Sequence, residues 1–121
     1  VATAKRGVKV VGCVAQSEGK TKGPTRDALK LLRAEPKIQW LEAFEAHGKE
    51  ARDSGKTRNL VHTKYVVIDR TWVIHGSANW TAAALRDENE NDENVLILRH
   101  PKIAAAFLQQ FEAMTGFKTE E

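Results

Sequence analysis

The chain has 121 residues, 41% of them hydrophobic and 29% charged, with a formal net charge of +3. That is enough for one core near the small end of the domain range, and too little charge to assign a polyanionic partner by itself. The single cysteine, Cys13, excludes an intramolecular disulfide and a cysteine-rich zinc site, while no apolar run approaches a membrane span and no signal-peptide pattern is present.

In chain order, Val1 to Arg6 reads as the last turns of a helix stopped by Gly7, before a strand at Val8 to Val14. A βαβ unit needs a strand ahead of that helix. The chain is therefore expected to be a C-terminal piece of a longer protein, or a variant lacking the first strand and part of the first helix, with an open edge or absent neighbour in its sheet. Ser17 to Pro24 is a glycine- and lysine-rich loop, and Thr25 is a candidate N-cap for a helix to about Arg33. Pro36 interrupts. Ile38, Trp40, Leu41 and Phe44 then recur at a spacing that predicts a second helix to about His47. Lys49 to Arg58 is a polar, basic connector. Beyond it the pattern predicts strands at Thr63 to Ile68 and Trp72 to Ile74, a helix near Trp80 to Leu85, a strand at Val95 to Leu98 and a closing helix from Pro101 to about Met114. There is no internal repeat. The expected fold class is α/β, a mixed β-sheet flanked by helices, in a single domain over residues 1–121.

The chemistry concentrates in His62, Lys64 and Asp69, followed by Gly76-Ser77-Ala78-Asn79. On a strand from Thr63, alternation places His62, Lys64, Val66 and Ile68 on one side and Tyr65, Val67 and Asp69 on the other. Cleaving a phosphodiester takes a nucleophile, cationic stabilisation of the equatorial oxygens and an acid for the leaving oxygen. An imidazole beside an ammonium supplies the first two, and the cation favours the neutral, nucleophilic imidazole. A second imidazole is still required for the third. Ser77 and Asn79, on a turn after Gly76, are candidate donors to phosphate oxygens, with Lys64 as the cation. Glu93 is the candidate carboxylate that orients His62, with Glu90 and Asp92 as competitors, and Asp69 is expected to be structural.

The pattern HxKxxxxD with a trailing GSxN resembles the phospholipase D superfamily, whose members carry an HKD motif. Asn91 to Ile97 is similar to the glutamate-containing strand entry of small nuclease-like members, and Lys5 to Val11 to their early helix-to-strand step. The stretch from about Gln16 to Asn59 carries no family motif. The resemblance implies cleavage through a covalent phosphohistidine. It also implies a homodimer, because single-motif members bring two copies of the motif together across a two-fold axis, one histidine attacking and the other protonating the leaving group.

The remaining candidates are weaker. His75 abuts Gly76 and is a minor candidate for lining the site; His100 precedes Pro101 at a helix entry, and His47 lies near a helix end. Trp40 and Trp72 are expected in the core, and Trp80 either in the core or walling the cleft. The acidic run Asp87 to Glu93 is not a calcium loop, since Asp92 stands where the sixth-position glycine belongs and Leu98 where the closing glutamate belongs. No metal and no cofactor is expected.

Residues 1–60 hold thirteen Lys or Arg against seven Asp or Glu, whereas residues 61–121 hold six against nine. Lys49, Arg52, Lys56 and Arg58 are thus candidates for one rim of a nucleic-acid groove, or equally a solvated loop. Three functions follow: a nuclease acting on DNA or RNA, favoured by short size and a single motif; a lipid-directed phosphodiesterase acting on phospholipid or cardiolipin; or a non-catalytic nucleic-acid-binding module. Gly76-Ser77-Ala78-Asn79-Trp80-Thr81 also resembles the mitochondrial cardiolipin-hydrolase branch, so the motif does not separate lipid from nucleic acid.

Overall fold

The computed structural model describes residues 1–15, 24–43, 62–79 and 93–119. Expectations for His47, the Lys49 to Arg58 connector, the helix near Trp80 to Leu85, Trp80, Glu90 and Asp92 lie outside the described residues. Two compact units are present, Val1–His62 and Thr63–Glu121.

The first unit opens on helix α1 (Ala2–Lys5), closed by Gly7 in the left-handed region at φ 94°. Strand β1 (Val10–Ala15) follows, then helix α2 (Pro24–Ala34) and strand β2 (Ile38–Ala43), with β1 and β2 parallel from Val10↔Ile38 to Ala15↔Ala43. Helix α2 begins one residue ahead of its expected cap, because proline is tolerated where the first turn's N–H has no partner. Strand β2 replaces the second helix expected from Pro36. The apolar set at Ile38, Trp40 and Leu41 fits both periods once Phe44 is counted, and a short apolar run cannot separate a strand from a helix by periodicity. Pairing with β1 decides it, as parallel strands need a crossover such as α2 supplies. Leu29 and Ile38 are buried here, and Glu35 closes the turn between α2 and β2: its carbonyl accepts from Ile38 N at 3.0 Å, and its Oε1 from Lys37 N at 3.2 Å. Trp40 is half-buried, its ring occupying the space where a side chain on Gly12 would stand.

The second unit is an antiparallel sheet ordered β3 (Tyr65–Ile68), β4 (Trp72–Gly76), β5 (Val95–Arg99), with helix α3 (Pro101–Thr115) against it. Asp69 and Arg70 make the hairpin turn, both at positive φ (49° and 52°), the backbone region that primed hairpin turns require. Val73 on β4 and Ala104 on α3 are fully buried, and the small Ala104 lets the helix approach the sheet. Tyr65 packs edge-on to Phe107 with centroids 4.8 Å apart, and its hydroxyl donates to the Phe107 carbonyl at 3.2 Å. Alternation turns Val66, Ile68 and Trp72 to the other face, where all three are exposed. Trp72 is therefore not a core residue. The hairpin register sets it opposite Ile68, away from α3, with the Arg99 guanidinium 5.5 Å from its ring centroid.

His100 stands at the N-cap of α3 with Pro101 opening the helix, as the His100-Pro101 pair predicts. The helix ends at Gly116 (φ 70°), whose N–H bonds to the Glu112 carbonyl at 2.8 Å. Glu112 then anchors the segment that follows: Thr119 N and Oγ1 both donate to its Oε1, at 2.8 and 2.5 Å, and Lys118 lies 3.7 Å from Oε2. The Thr119 side-chain and backbone bonds, followed by Lys118, hold the carboxyl below its ordinary value of 4.5. A carboxyl lowered in the folded state stabilises it fully above the unfolded value and loses that contribution as pH falls through the folded one. The Thr119 amide is thus expected to be protected from hydrogen exchange at neutral pH and to lose protection selectively below pH 4.5. Protection unchanged through that acid range would contradict the anchor.

Candidate active site

Three chain segments meet at one end of the β3-β4-β5 sheet: the entry to β3, the exit of β4 and the entry to β5. Lys64 stands immediately before β3, Ser77 immediately after β4, and Glu93 two residues before β5. The β-branched run at Val66 to Ile68 and at Val73 and Ile74 explains why these two strands form, and the turn at Asp69-Arg70 fixes their register.

The β3 entry is held through main chain. The Lys64 carbonyl accepts from Gly76 N at 3.4 Å and from His75 Nδ1 at 3.0 Å. A carbonyl only accepts, so His75 carries its proton on Nδ1 when neutral. The ring sits on the α3 face, 5.3 Å from Phe107, and is half-buried. His75 thus clamps the strand entry from beneath. Its only local signal is its place beside Gly76; its pairing with the β3 entry depends on the hairpin register, which no local signal announces.

The β4 exit and β5 entry are locked by three bonds. Ser77 N donates to the Asn94 carbonyl at 3.1 Å, Asn94 N donates to Ser77 Oγ at 3.1 Å, and Ser77 Oγ donates to Glu93 Oε2 at 2.5 Å. Gly76 makes this approach possible: a side chain there would run into the Asn94 carbonyl and the Val95 Cα. Ala78 is buried and Asn79, next along, is exposed.

The ladder begins at Tyr65 rather than Thr63, so strand alternation does not by itself set the His62 and Lys64 side chains together. His62 is exposed and closes the first unit, two residues ahead of Lys64. Asp69 lies on the hairpin turn at the far end of β3 from Lys64, its carbonyl accepting from Thr71 Oγ1 at 2.9 Å. Among the described residues, no group of three His, Cys, Asp or Glu is placed to hold a metal ion, and no helix is long and apolar enough to cross a membrane.

The sequence matches the family described as cardiolipin synthase, PLD-like domain, over residues 1–115. The chain belongs to this phospholipase D-like family. Among solved structures, it is similar to Nuc of Salmonella typhimurium, a phospholipase D family member, at 26% identity and a TM-score of 0.68, covering 93% of this chain and 64% of that one. NucT of Helicobacter pylori, at 21% identity and a TM-score of 0.69, shares the fold. By sequence the chain is 36% identical over 74 residues to a mitochondrial cardiolipin hydrolase of Chlamydomonas reinhardtii, covering 61% of this chain and 31% of the relative. It is 41% identical over 56 residues to a phospholipase D of Rickettsia felis, covering 46% and 26%. The chain spans about a third or less of the length of these curated relatives.

Proposed function

We propose that the chain is a metal-independent phosphodiesterase acting through a phosphohistidine, with nucleic acid as its substrate. The observation that carries this reading is the gathering of Lys64, Ser77 and Glu93 at one sheet end, with Asn79 two residues beyond Ser77 and His62 two residues ahead of Lys64. Nucleic acid is favoured by the single motif in a short chain and by the excess of Lys and Arg over Asp and Glu in residues 1–60.

In the proposed mechanism a ring nitrogen of His62 attacks phosphorus and the bond to the leaving oxygen breaks. Lys64 and the Asn79 amide neutralise the equatorial oxygens, where positioned donors act most strongly on developing charge. The leaving oxygen takes its proton from a second imidazole. A second copy of the chain supplies it, His62 of that copy standing across a two-fold axis. Water then attacks the phosphohistidine and returns a proton to the second imidazole. Glu93 accepts from the other ring nitrogen of His62 and holds its orientation. Asp69, at the turn, serves the hairpin rather than the reaction.

A second reading is lipid-directed, and it is favoured by the relatives named mitochondrial cardiolipin hydrolase and phospholipase D. Incubation with plasmid DNA, single-stranded DNA, RNA and cardiolipin liposomes in EDTA separates the two. Degradation of nucleic acid in chelator is expected. Release of phosphatidic acid alone would move the substrate to lipid, and activity lost in EDTA and restored by a divalent ion would overturn the metal-independent mechanism.

A further inference from the structure

We infer that Ser77 is a positioning residue for Glu93 and not a phosphate ligand; this rests on the phosphodiesterase reading above. A serine has two protons to donate, one on its backbone nitrogen and one on its hydroxyl. The structure directs both at the β5 entry: N–H to the Asn94 carbonyl at 3.1 Å, and O–H to Glu93 Oε2 at 2.5 Å. The hydroxyl oxygen in turn accepts from Asn94 N at 3.1 Å. No proton is left for a phosphate oxygen.

The three bonds form a closed lock between residues 16 and 17 apart in sequence, so the carboxylate is fixed relative to the β4 exit. With Oε2 engaged by Ser77, Oε1 is the oxygen left to accept from the imidazole N–H that the proposed mechanism assigns to Glu93. A hydrogen bond to a charged acceptor is among the stronger ones, and a carboxylate held on one side loses less freedom when it orients a ring on the other. Ser77 therefore acts on the reaction only through Glu93. Phosphate binding falls to Lys64 and Asn79.

The test compares wild type with Ser77→Ala, Ser77→Thr, Glu93→Gln and the Ser77→Ala/Glu93→Gln pair in the whole chain, on the substrate the wild type cleaves. Ser77→Ala is expected to lower kcat by about 10- to 100-fold with KM within about twofold. Ser77→Thr, which keeps the hydroxyl, is expected to recover most of the loss. Ser77→Ala should add nothing in the Glu93→Gln background, because Ser77 acts only through the carboxylate that Glu93→Gln removes, and both should displace the pH profile of kcat alike. A raised KM with kcat retained, equal in both backgrounds, would make Ser77 a phosphate ligand and overturn the assignment. If wild type cleaves none of the substrates, the phosphodiesterase reading fails separately. The assignment is then decided by the ¹³C shift of the Glu93 carboxylate at neutral pH. Displacement in Ser77→Ala and return in Ser77→Thr support it, and one shift across all three chains overturns it.

Discussion

Replacing His62 by alanine is expected to lower turnover by at least about a thousandfold while nucleic-acid affinity stays within about threefold of wild type. A thousandfold loss corresponds to about 4 kcal/mol of transition-state stabilisation, what is expected when the atom that forms the covalent bond is removed. Affinity behaves differently because phosphate attraction is distributed over many cations, of which this chain has nineteen Lys and Arg. The split is measured by single-turnover cleavage beside a filter-binding titration at one fixed salt concentration. Strong loss of binding with substantial turnover remaining would assign His62 to substrate capture.

Gly76→Ala is expected to be as damaging by a different route. The added methyl would meet the backbone of Asn94 and Val95, and backbone cannot rotate away as a flexible side chain can. Overpacking of this kind costs about 1–3 kcal/mol. The strain falls where Ser77 N bonds to the Asn94 carbonyl, so β4 and β5 must separate at the end that carries Ser77 and Glu93. Turnover should collapse together with a lowered denaturation midpoint. A midpoint and kcat both equal to wild type would show that this end of the sheet does not need the close approach.

Much of the fold was legible because local signals and tertiary context agree. Gly7 stops α1, the β-branched run makes β3, and Pro101 opens α3 behind His100. Strand β2 is not legible locally because Ile38, Leu41 and Phe44 mimic a helical stripe, and only the ladder with β1 resolves the ambiguity. The exposure of Trp72 is not legible locally because its face depends on which side of the sheet α3 covers, and that is tertiary information. The same limit applies to the site. The residue types and their spacing name Lys64, Ser77, Asn79 and Glu93, but the bond from Ser77 to Glu93 and the His75 clamp on Lys64 arise from strand register. Chemistry of side chains is written locally, and their mutual hydrogen bonds are written in the pairing of strands.

The central claim is that His62 becomes covalently bonded to phosphorus during turnover, and the most direct measurement is to trap that bond. Wild type and His62→Ala are mixed with end-labelled single-stranded DNA in EDTA, quenched in alkali within one turnover and digested for mass spectrometry. A nucleotidyl adduct on His62 in the wild type, absent from the variant and labile to acid, is the predicted result. Cleavage by the wild type with no adduct on His62 at any time before completion would contradict it.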